Sequence, residues 1–165
     1  MKTEETVLEI DLNALERNVQ YLKSKLKPTT WFLAVVKASS YGNEATQIAA
    51  YIEKKKLANY FAVAYTSEGI ALRKCGISLP IIVLHPQSVN FDDIIKYQLE
   101  PTLYSLRTTH LFLEYAQKHQ LTHYPVHLKC NTGLNRLGFD FNQIDEVLSL
   151  LKNNATVKVK TAYSH

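Results

Sequence analysis

The strongest constraint on the fold of this chain is a repeated alternation between short apolar runs and amphipathic helical segments. From residue 31 onward, each apolar run of strand length is followed by a segment with helical spacing. Alternating units of this length favour a parallel sheet with helices packed outside it. We predict strands over 31–36, 60–64, 80–84, 101–104, 126–129 and 157–163, and helices over 13–26, 44–55, 67–74, 90–97, 106–119 and 140–152.

Two architectures share this pattern, a doubly wound open sheet and a (β/α)8 barrel of the TIM type. The turn between Val36 and Gly42 does not match the dinucleotide-binding motif, and the chain has only 5 glycines, which weakens the first. With 165 residues, of which 46% are hydrophobic, the chain suits one core and offers no room for a second full domain. We therefore predict an α/β fold in which residues 1–165 form the first six strands of a (β/α)8 barrel, an incomplete domain because a closed barrel needs about eight strands.

The sequence also predicts how some of these elements begin. Asn13 and Glu16 stand in capping-box relation at the start of the first helix, as do Asp140 and Gln143 at the start of the last. Before the first helix, residues 7–12 alternate partly like an edge strand.

Composition excludes several classes of protein. The net charge is +4, from 19 basic and 15 acidic side chains spread along the chain, which does not favour nucleic-acid binding, and Lys54–Lys56 suit a solvated helix end. Cys75 and Cys130 lack disulfide or zinc-ligand spacing, so no metal is predicted, and Cys130 is expected to be a small buried side chain. The charged stretch 1–6 contains no apolar run for a signal peptide or membrane span, so we expect a soluble, cytoplasmic protein.

Lys37 is the residue most suggestive of chemistry. It stands where the apolar run ending at Val36 gives way to a polar turn that contains Gly42. A lysine at the mouth of a parallel strand can lose hydration and become nucleophilic enough to form a Schiff base. The alternative is an ordinary solvated lysine that closes a strand.

Other basic residues are predicted to meet Lys37. Parallel strands bring their carboxyl ends to one rim, so Lys37, Lys129 and His165 should converge there. His127 shares a strand face with Lys129, and two basic groups pointing into a barrel require an anion or a carboxylate opposite them. The remaining histidines show no paired spacing, so surface or helix-end roles are expected for them: His85, His110, His119 and His123.

Two segments of the chain resemble a known family. Residues 31–42, with Ala34-Val35-Val36-Lys37-Ala38 and Tyr41-Gly42, and residues 127–139, with Lys129-Cys130-Asn131-Thr132-Gly133-Leu134-Asn135-Arg136-Leu137-Gly138, closely resemble the two N-terminal signature segments of alanine racemases. These are pyridoxal-phosphate enzymes built from a barrel followed by a β domain. The resemblance runs from about Thr6 to His165 and implies that the C-terminal β domain is absent here.

The resemblance implies roles for the basic residues. Lys37 matches the lysine that forms the Schiff base with pyridoxal 5'-phosphate and acts as one catalytic base. Tyr41 matches a ligand of the cofactor's phosphate, and His165 matches a histidine whose ring packs against the pyridine ring.

The second signature segment carries the other implied roles. Arg136 matches the arginine that contacts the cofactor's phenolic oxygen, and Lys129 a supporting lysine that is carbamylated in some members and orients this arginine. At Leu134 the family mainly uses the backbone N–H, toward the substrate carboxylate. The chain departs from the usual pattern at Ser39-Ser40 and at Asn131, where the family usually has aspartate, so that a negative charge beside Lys129 is lost.

The implied activity is interconversion of L-alanine and D-alanine for bacterial cell-wall synthesis by a homodimer. In the family, a second base, a tyrosine, comes from the partner's C-terminal domain, and this region lies beyond residue 165, so the isolated chain is expected to be inactive. One alternative is a non-catalytic, single-barrel pyridoxal-phosphate carrier, against which the segment Thr132–Arg136 argues. Another is a racemase module within a larger fusion protein.

Overall fold

The computed structural model describes residues 6–165, and the N-terminal stretch on which the expectation of no signal peptide rests lies largely outside them. Six strands form one sheet in which every neighbour is parallel and the spatial order follows the chain. A doubly wound sheet would reverse its strand order part-way, so this order is that of a partial barrel. The strands are β1 (Leu33–Val35), β2 (Tyr60–Val63), β3 (Ile81–Val83), β4 (Glu100–Leu103), β5 (Tyr124–Lys129) and β6 (Val157–Tyr163).

Six right-handed helices pack around this sheet. Short 3-10 turns at Ser88–Asn90 and Phe141–Gln143 precede the fourth and the sixth of them. None of the helices in residues 6–165 has the length and apolar character needed to cross a membrane. The helices are α1 (Leu12–Ser24), α2 (Ala45–Lys54), α3 (Thr66–Lys74), α4 (Phe91–Lys96), α5 (Leu106–Lys118) and α6 (Ile144–Lys152).

The central strands β2, β3 and β4 bury both of their faces, as strands of parallel sheets do, whereas β6 is largely exposed. Alternate residues of the central strands, such as Phe61 and Ile81, face the helices and belong to the main core. The residues between them, including Tyr60 and Ile82, form a smaller cluster on the other face. This second face is the interior of the partial barrel.

The start of α1 corrects two predictions. Residues 7–10 form no strand. The helix is capped by Asp11, whose Oδ1 accepts hydrogen bonds from the backbone N–H groups of Asn13 and Ala14, both at 2.9 Å, so Asn13 does not form a capping box. The side chain of Glu16 is occupied elsewhere, because it accepts a hydrogen bond from the Tyr51 hydroxyl at 2.6 Å.

Other boundaries differ more modestly. The capping box of Asp140 and Gln143 is confirmed, but it encloses the 3-10 turn that leads into α6. The first strand is shorter than predicted and β5 begins two residues earlier. Cys130 is half-buried rather than buried. It lies just past the end of β5, where its N–H donates to the carbonyl of Tyr163 at 2.8 Å and a bridge pairs it with Phe139.

Candidate active site

The chain reverses its handedness immediately after Lys37. Ala38, Ser39, Ser40 and Tyr41 have φ between 50° and 59° and ψ between 40° and 48°, which is the left-handed region of backbone conformation. Each L-residue pays about 1–2 kcal/mol to adopt it. Strained backbone of this kind persists where the surrounding structure over-determines it, and it is concentrated at functional sites.

Lys37 opens onto a cavity at the carboxyl rim of the sheet. The cavity has a volume of about 370 Å³. As predicted, Lys37, Lys129 and His165 line it together, and Arg136 joins them. Four basic side chains from distant parts of the sequence therefore surround one space, which suits an anionic ligand.

The loop that carries Arg136 is folded back against β5. The backbone N–H of Phe139 donates to the carbonyl of Lys129, and the N–H of Asn131 donates to the carbonyl of Phe139, both at 2.8 Å. Gly138, at φ +124°, lies where the chain returns, and a Cβ there would come within 2.7 Å of the Asn131 backbone nitrogen. Glycine is therefore required for the loop to bring Arg136 toward Lys129.

Asn131 organises the interior of this loop. Its Oδ1 accepts hydrogen bonds from the backbone N–H groups of Gly133 at 3.2 Å and Asn135 at 3.0 Å. Its Nδ2 donates to the Asp140 carboxylate at 2.7 Å. An aspartate at position 131 could not donate this last bond, so the departure from the family pattern is matched to Asp140.

Lys129 is buried among other cations. The three ion pairs formed within residues 6–165 do not involve it, and its Nζ lies 5.2 Å from the centre of the Tyr163 ring. Burial, together with the nearby Arg136 and Lys37, lowers the pKa of Lys129. The same cluster lowers the pKa of the His165 imidazole. The largest cause is the charge of Lys129, and the next is burial.

A buried polar network lies below the cluster, one layer deeper in the barrel. His127 is fully buried, and its Nε2 is 2.7 Å from a Glu100 carboxylate oxygen while its Nδ1 is 2.7 Å from the Thr161 hydroxyl. Beside it, the hydroxyls of Thr102 and Tyr163 are 2.9 Å apart. The carboxylate that the sequence requires opposite His127 is therefore Glu100.

Two predicted site residues lie outside the basic cavity. Tyr41 is 65% exposed and lines a second, apolar space of about 520 Å³, which Lys37 and His165 also border. Leu134 is 49% exposed, and its side chain lines neither space.

His85 is a cavity residue that the sequence analysis missed. The sequence predicts a surface or helix-end role for it, but it lines the basic cavity with Lys37, between the rings of Tyr65 at 5.7 Å and Tyr104 at 5.3 Å. Its position just beyond the third strand was the available signal, since every strand end is directed to the same rim. His110, His119 and His123 are exposed, in agreement with the prediction.

The fold and the site together define a class, the barrel proteins whose carboxyl rim holds a lysine within a basic cavity. The chain matches the family described as alanine racemase, N-terminal domain, over residues 10–165, and it belongs to this family.

Individual relatives agree with this assignment. The chain is 36% identical over 163 residues to the alanine racemase of Nostoc sp., covering 96% of this chain and 42% of the relative. It is 35% identical to an amino-acid racemase of Enterococcus faecalis, of which it covers 22%. Among solved structures, alanine racemase of Clostridium difficile superposes with a TM-score of 0.85 at 33% identity, covering 93% of this chain and 40% of that protein. The chain thus spans about two fifths of the alanine racemases it matches.

Proposed function

We propose that this chain is the barrel portion of an alanine racemase that uses pyridoxal 5'-phosphate. The observation that carries the proposal is the placement of Lys37 on the strained turn, at the edge of a cavity lined by three further basic residues. Family membership supports it, because the named relatives are racemases. The activity belongs to the complete protein, of which this chain supplies one part.

The residues present fit the proposed cofactor. A primary amine is available for covalent attachment of an aldehyde, and the surplus of positive charge suits a phosphate and a phenolic oxygen. We propose that Lys37 holds the cofactor covalently, that Tyr41 contributes to its phosphate site, that Arg136 approaches its phenolic oxygen and that His165 packs against its ring. When bound, pyridoxal phosphate stabilises negative charge at the substrate α-carbon by acting as an electron sink.

The chain's own groups then supply positioning and proton transfer. Nζ of Lys37, once the substrate amine had replaced it, would be a free amine able to remove or return the proton at the α-carbon of alanine from one side. A second base on the opposite side is needed for racemisation, and we propose that it comes from the rest of the protein in a homodimer. Lys129 would orient Arg136 in its carbamylated form, which is negatively charged, and the backbone N–H of Leu134 would meet the substrate carboxylate.

The biological setting follows from this activity. We propose that the complete protein acts in the cytoplasm and provides D-alanine for cell-wall synthesis. The basic cavity beside Lys37 supports a ligand that carries an acidic group such as a carboxylate.

Covalent labelling tests the proposal. The chain is incubated with pyridoxal phosphate, the adduct is fixed with borohydride, and its position is found by peptide mass mapping. We expect the label to concentrate on Lys37 and to be lost from that peptide in Lys37→Arg. Lys158→Arg, a change at an exposed lysine on β6, serves as the matched control. Equal labelling of all exposed lysines would contradict the proposal.

A further inference from the structure

We propose that Glu68 is a positioning residue for Lys37, because its carboxylate ties the left-handed turn to the carboxyl end of β2. The inference rests on the proposed function, since it concerns the same lysine. Glu68 lies in the first turn of α3, on the unit that follows β2.

The carboxylate of Glu68 bridges two strand ends. Its Oε1 accepts a hydrogen bond from the backbone N–H of Ala38 at 2.6 Å. Its Oε2 accepts from the N–H of Ala64 at 2.7 Å and from that of Tyr65 at 3.1 Å. One side chain therefore joins the residue after Lys37 to the two residues that follow β2.

The turn requires such a tie because its internal bonds do not fix it to the sheet. The N–H of Ser40 donates to the carbonyl of Val36 at 3.0 Å, and the N–H of Asn43 donates to that of Ser39 at 2.8 Å, but both bonds lie within the turn or at its ends. The last bond from β1 toward β2 is Val36 N–H to the Ala62 carbonyl, at 2.9 Å. After Val36, the hydrogen bond from the Ala38 N–H to Glu68 connects the left-handed turn to α3.

The left-handed segment is also expensive to maintain. The hydroxyl of Ser40 is buried and has no hydrogen-bond partner within the described residues, which adds to the cost of four left-handed L-residues. Hydrogen bonds to an ionised carboxylate are stronger than those between neutral groups. Glu68 thus supplies a strong interaction at the start of the left-handed turn.

Only a carboxylate has two oxygen atoms that can both accept hydrogen bonds from these backbone N–H groups. The three N–H groups approach two different oxygen atoms, and an amide would present an NH₂ group to one side. The Glu68→Gln variant therefore loses the bond to Ala38 or the bonds to Ala64 and Tyr65, with nearly unchanged shape.

Glu68 also caps the helix to which it belongs. The experiment must distinguish this capping role from its role in connecting the left-handed turn to the end of β2. Oε2 of Glu68 accepts a hydrogen bond from the backbone N–H of Tyr65 at 3.1 Å and so caps the start of α3. The chain offers a matched control, because Gln143 forms a capping box with Asp140 at a distance in sequence from Lys37. Gln143→Ala removes a cap without touching the turn. Glu68→Asp is a second variant: it keeps the charge at the start of α3 but is too short to span both strand ends.

Hydrogen exchange of the Ala38–Tyr41 amides, followed by mass spectrometry, tests the bridge without any cofactor. We expect roughly tenfold faster exchange in Glu68→Gln and Glu68→Asp, since each loses a charge-assisted hydrogen bond, and no change in Gln143→Ala. Exchange of α5 should stay as in the wild type in all three. Unchanged exchange of the turn in both Glu68 variants would overturn the proposal.

Borohydride labelling with pyridoxal phosphate provides the second measurement. We expect the share of label on Lys37 to fall several-fold in the Glu68 variants and to be unchanged in Gln143→Ala. Absence of Lys37 labelling in the wild type would refute the proposed function, while hydrogen exchange would still decide the role of Glu68. Faster exchange with a wild-type share of label would show that Glu68 holds the turn without positioning Lys37, and so would overturn the inference.

Discussion

At the scale of single residues, the amide of Asn131 is matched to its neighbour. We predict that Asn131→Asp destabilises the chain by roughly 1 kcal/mol at neutral pH, because the Nδ2 donor that serves Asp140 becomes an acceptor facing a carboxylate. The penalty should be smaller at pH 3.5 than at pH 7, because protonation of one carboxyl removes the repulsion between the two. Urea unfolding at pH 7 and pH 3.5 measures both effects.

The control for this variant is Asn18→Asp, an exposed position on α1. It should change the stability little at either pH. A stability difference between Asn131→Asp and the wild type that does not depend on pH would contradict the pairing with Asp140.

The lowered pKa of Lys129 has a defined effect on stability. Its folded-state pKa lies below the ordinary value of 10.5. The charged lysine therefore lowers the free energy of unfolding at any pH below that lowered pKa, and this loss disappears as the pH rises toward 10.5, because the folded state releases the proton first. We predict that Lys129→Met raises the urea midpoint at pH 7, and that this advantage over the wild type shrinks by pH 10. For Lys158→Met, at an exposed lysine, the difference in urea midpoint from the wild type should be the same at pH 7 and at pH 10.

The cluster of basic residues could be predicted from sequence because it depends on topology alone. Strand ends of a parallel sheet share one rim, which brings Lys37, Lys129 and His165 together without knowledge of their side-chain contacts. The roles of Glu68 and Asn131 could not be predicted in this way. Both depend on backbone N–H groups whose directions are set by the left-handed turn and by the loop that returns at Gly138.

At the scale of elements, the left-handed turn is the part of the fold that propensity opposes. We predict that Ala38→Gly raises the free energy of unfolding by up to about 1 kcal/mol, since glycine avoids the left-handed penalty but gains freedom in the unfolded chain. Ala71→Gly is the matched control, an exposed alanine within the right-handed helix α3, and should lower the stability by about 1 kcal/mol. Urea unfolding measures both, and a destabilised Ala38→Gly would argue against the left-handed conformation.

The rim opposite the site is held by Arg73. Its guanidinium donates hydrogen bonds to four backbone carbonyls, those of Ile77, Leu79, Tyr97 and Gln98, at 2.6 to 3.0 Å. We predict that Arg73→Lys lowers the stability by about 2–3 kcal/mol, because a lysine cannot reproduce this planar fork. Arg107→Lys, at an exposed arginine, should have little effect. Equal unfolding midpoints for the two variants would refute this role.

Element boundaries were harder to predict than element existence. The edge-strand pattern at residues 7–12 failed because Asp11 offers a carboxylate to two free N–H groups, so the helix starts there instead. The strand predicted over 31–36 is shortened to Leu33–Val35, and at its end the backbone of Val36 leaves the extended conformation, with φ −118° and ψ 21°, although its N–H still bonds to Ala62. The spacing of apolar residues predicts neither the helix cap nor the end of the strand.

At the scale of the whole molecule, the sheet has two open edges. β1 and β6 do not pair with each other within the described residues, and Trp31, Leu33 and Val35 are 67%, 39% and 40% exposed. Unpaired edges beside exposed apolar side chains promote association between chains. We predict that the 165-residue chain self-associates through β1 and β6, as measured by light scattering over a dilution series.

Two variants test this association. Val35→Lys should reduce it by placing a charge beside the open edge, whereas Val89→Lys, at an exposed position before α4, should not. A compact monomer that resists dilution and unfolds cooperatively would mean that the sheet closes in another way.

The strand order has a consequence for how the protein is made. Because each strand pairs with the one synthesised just before it, the units can dock one after another as they leave the ribosome, without waiting for distant segments. β1, the first of the six described strands to emerge, keeps one side unpaired while the other five dock. Its apolar edge is therefore the surface that a chaperone would have to shield for the longest time during translation.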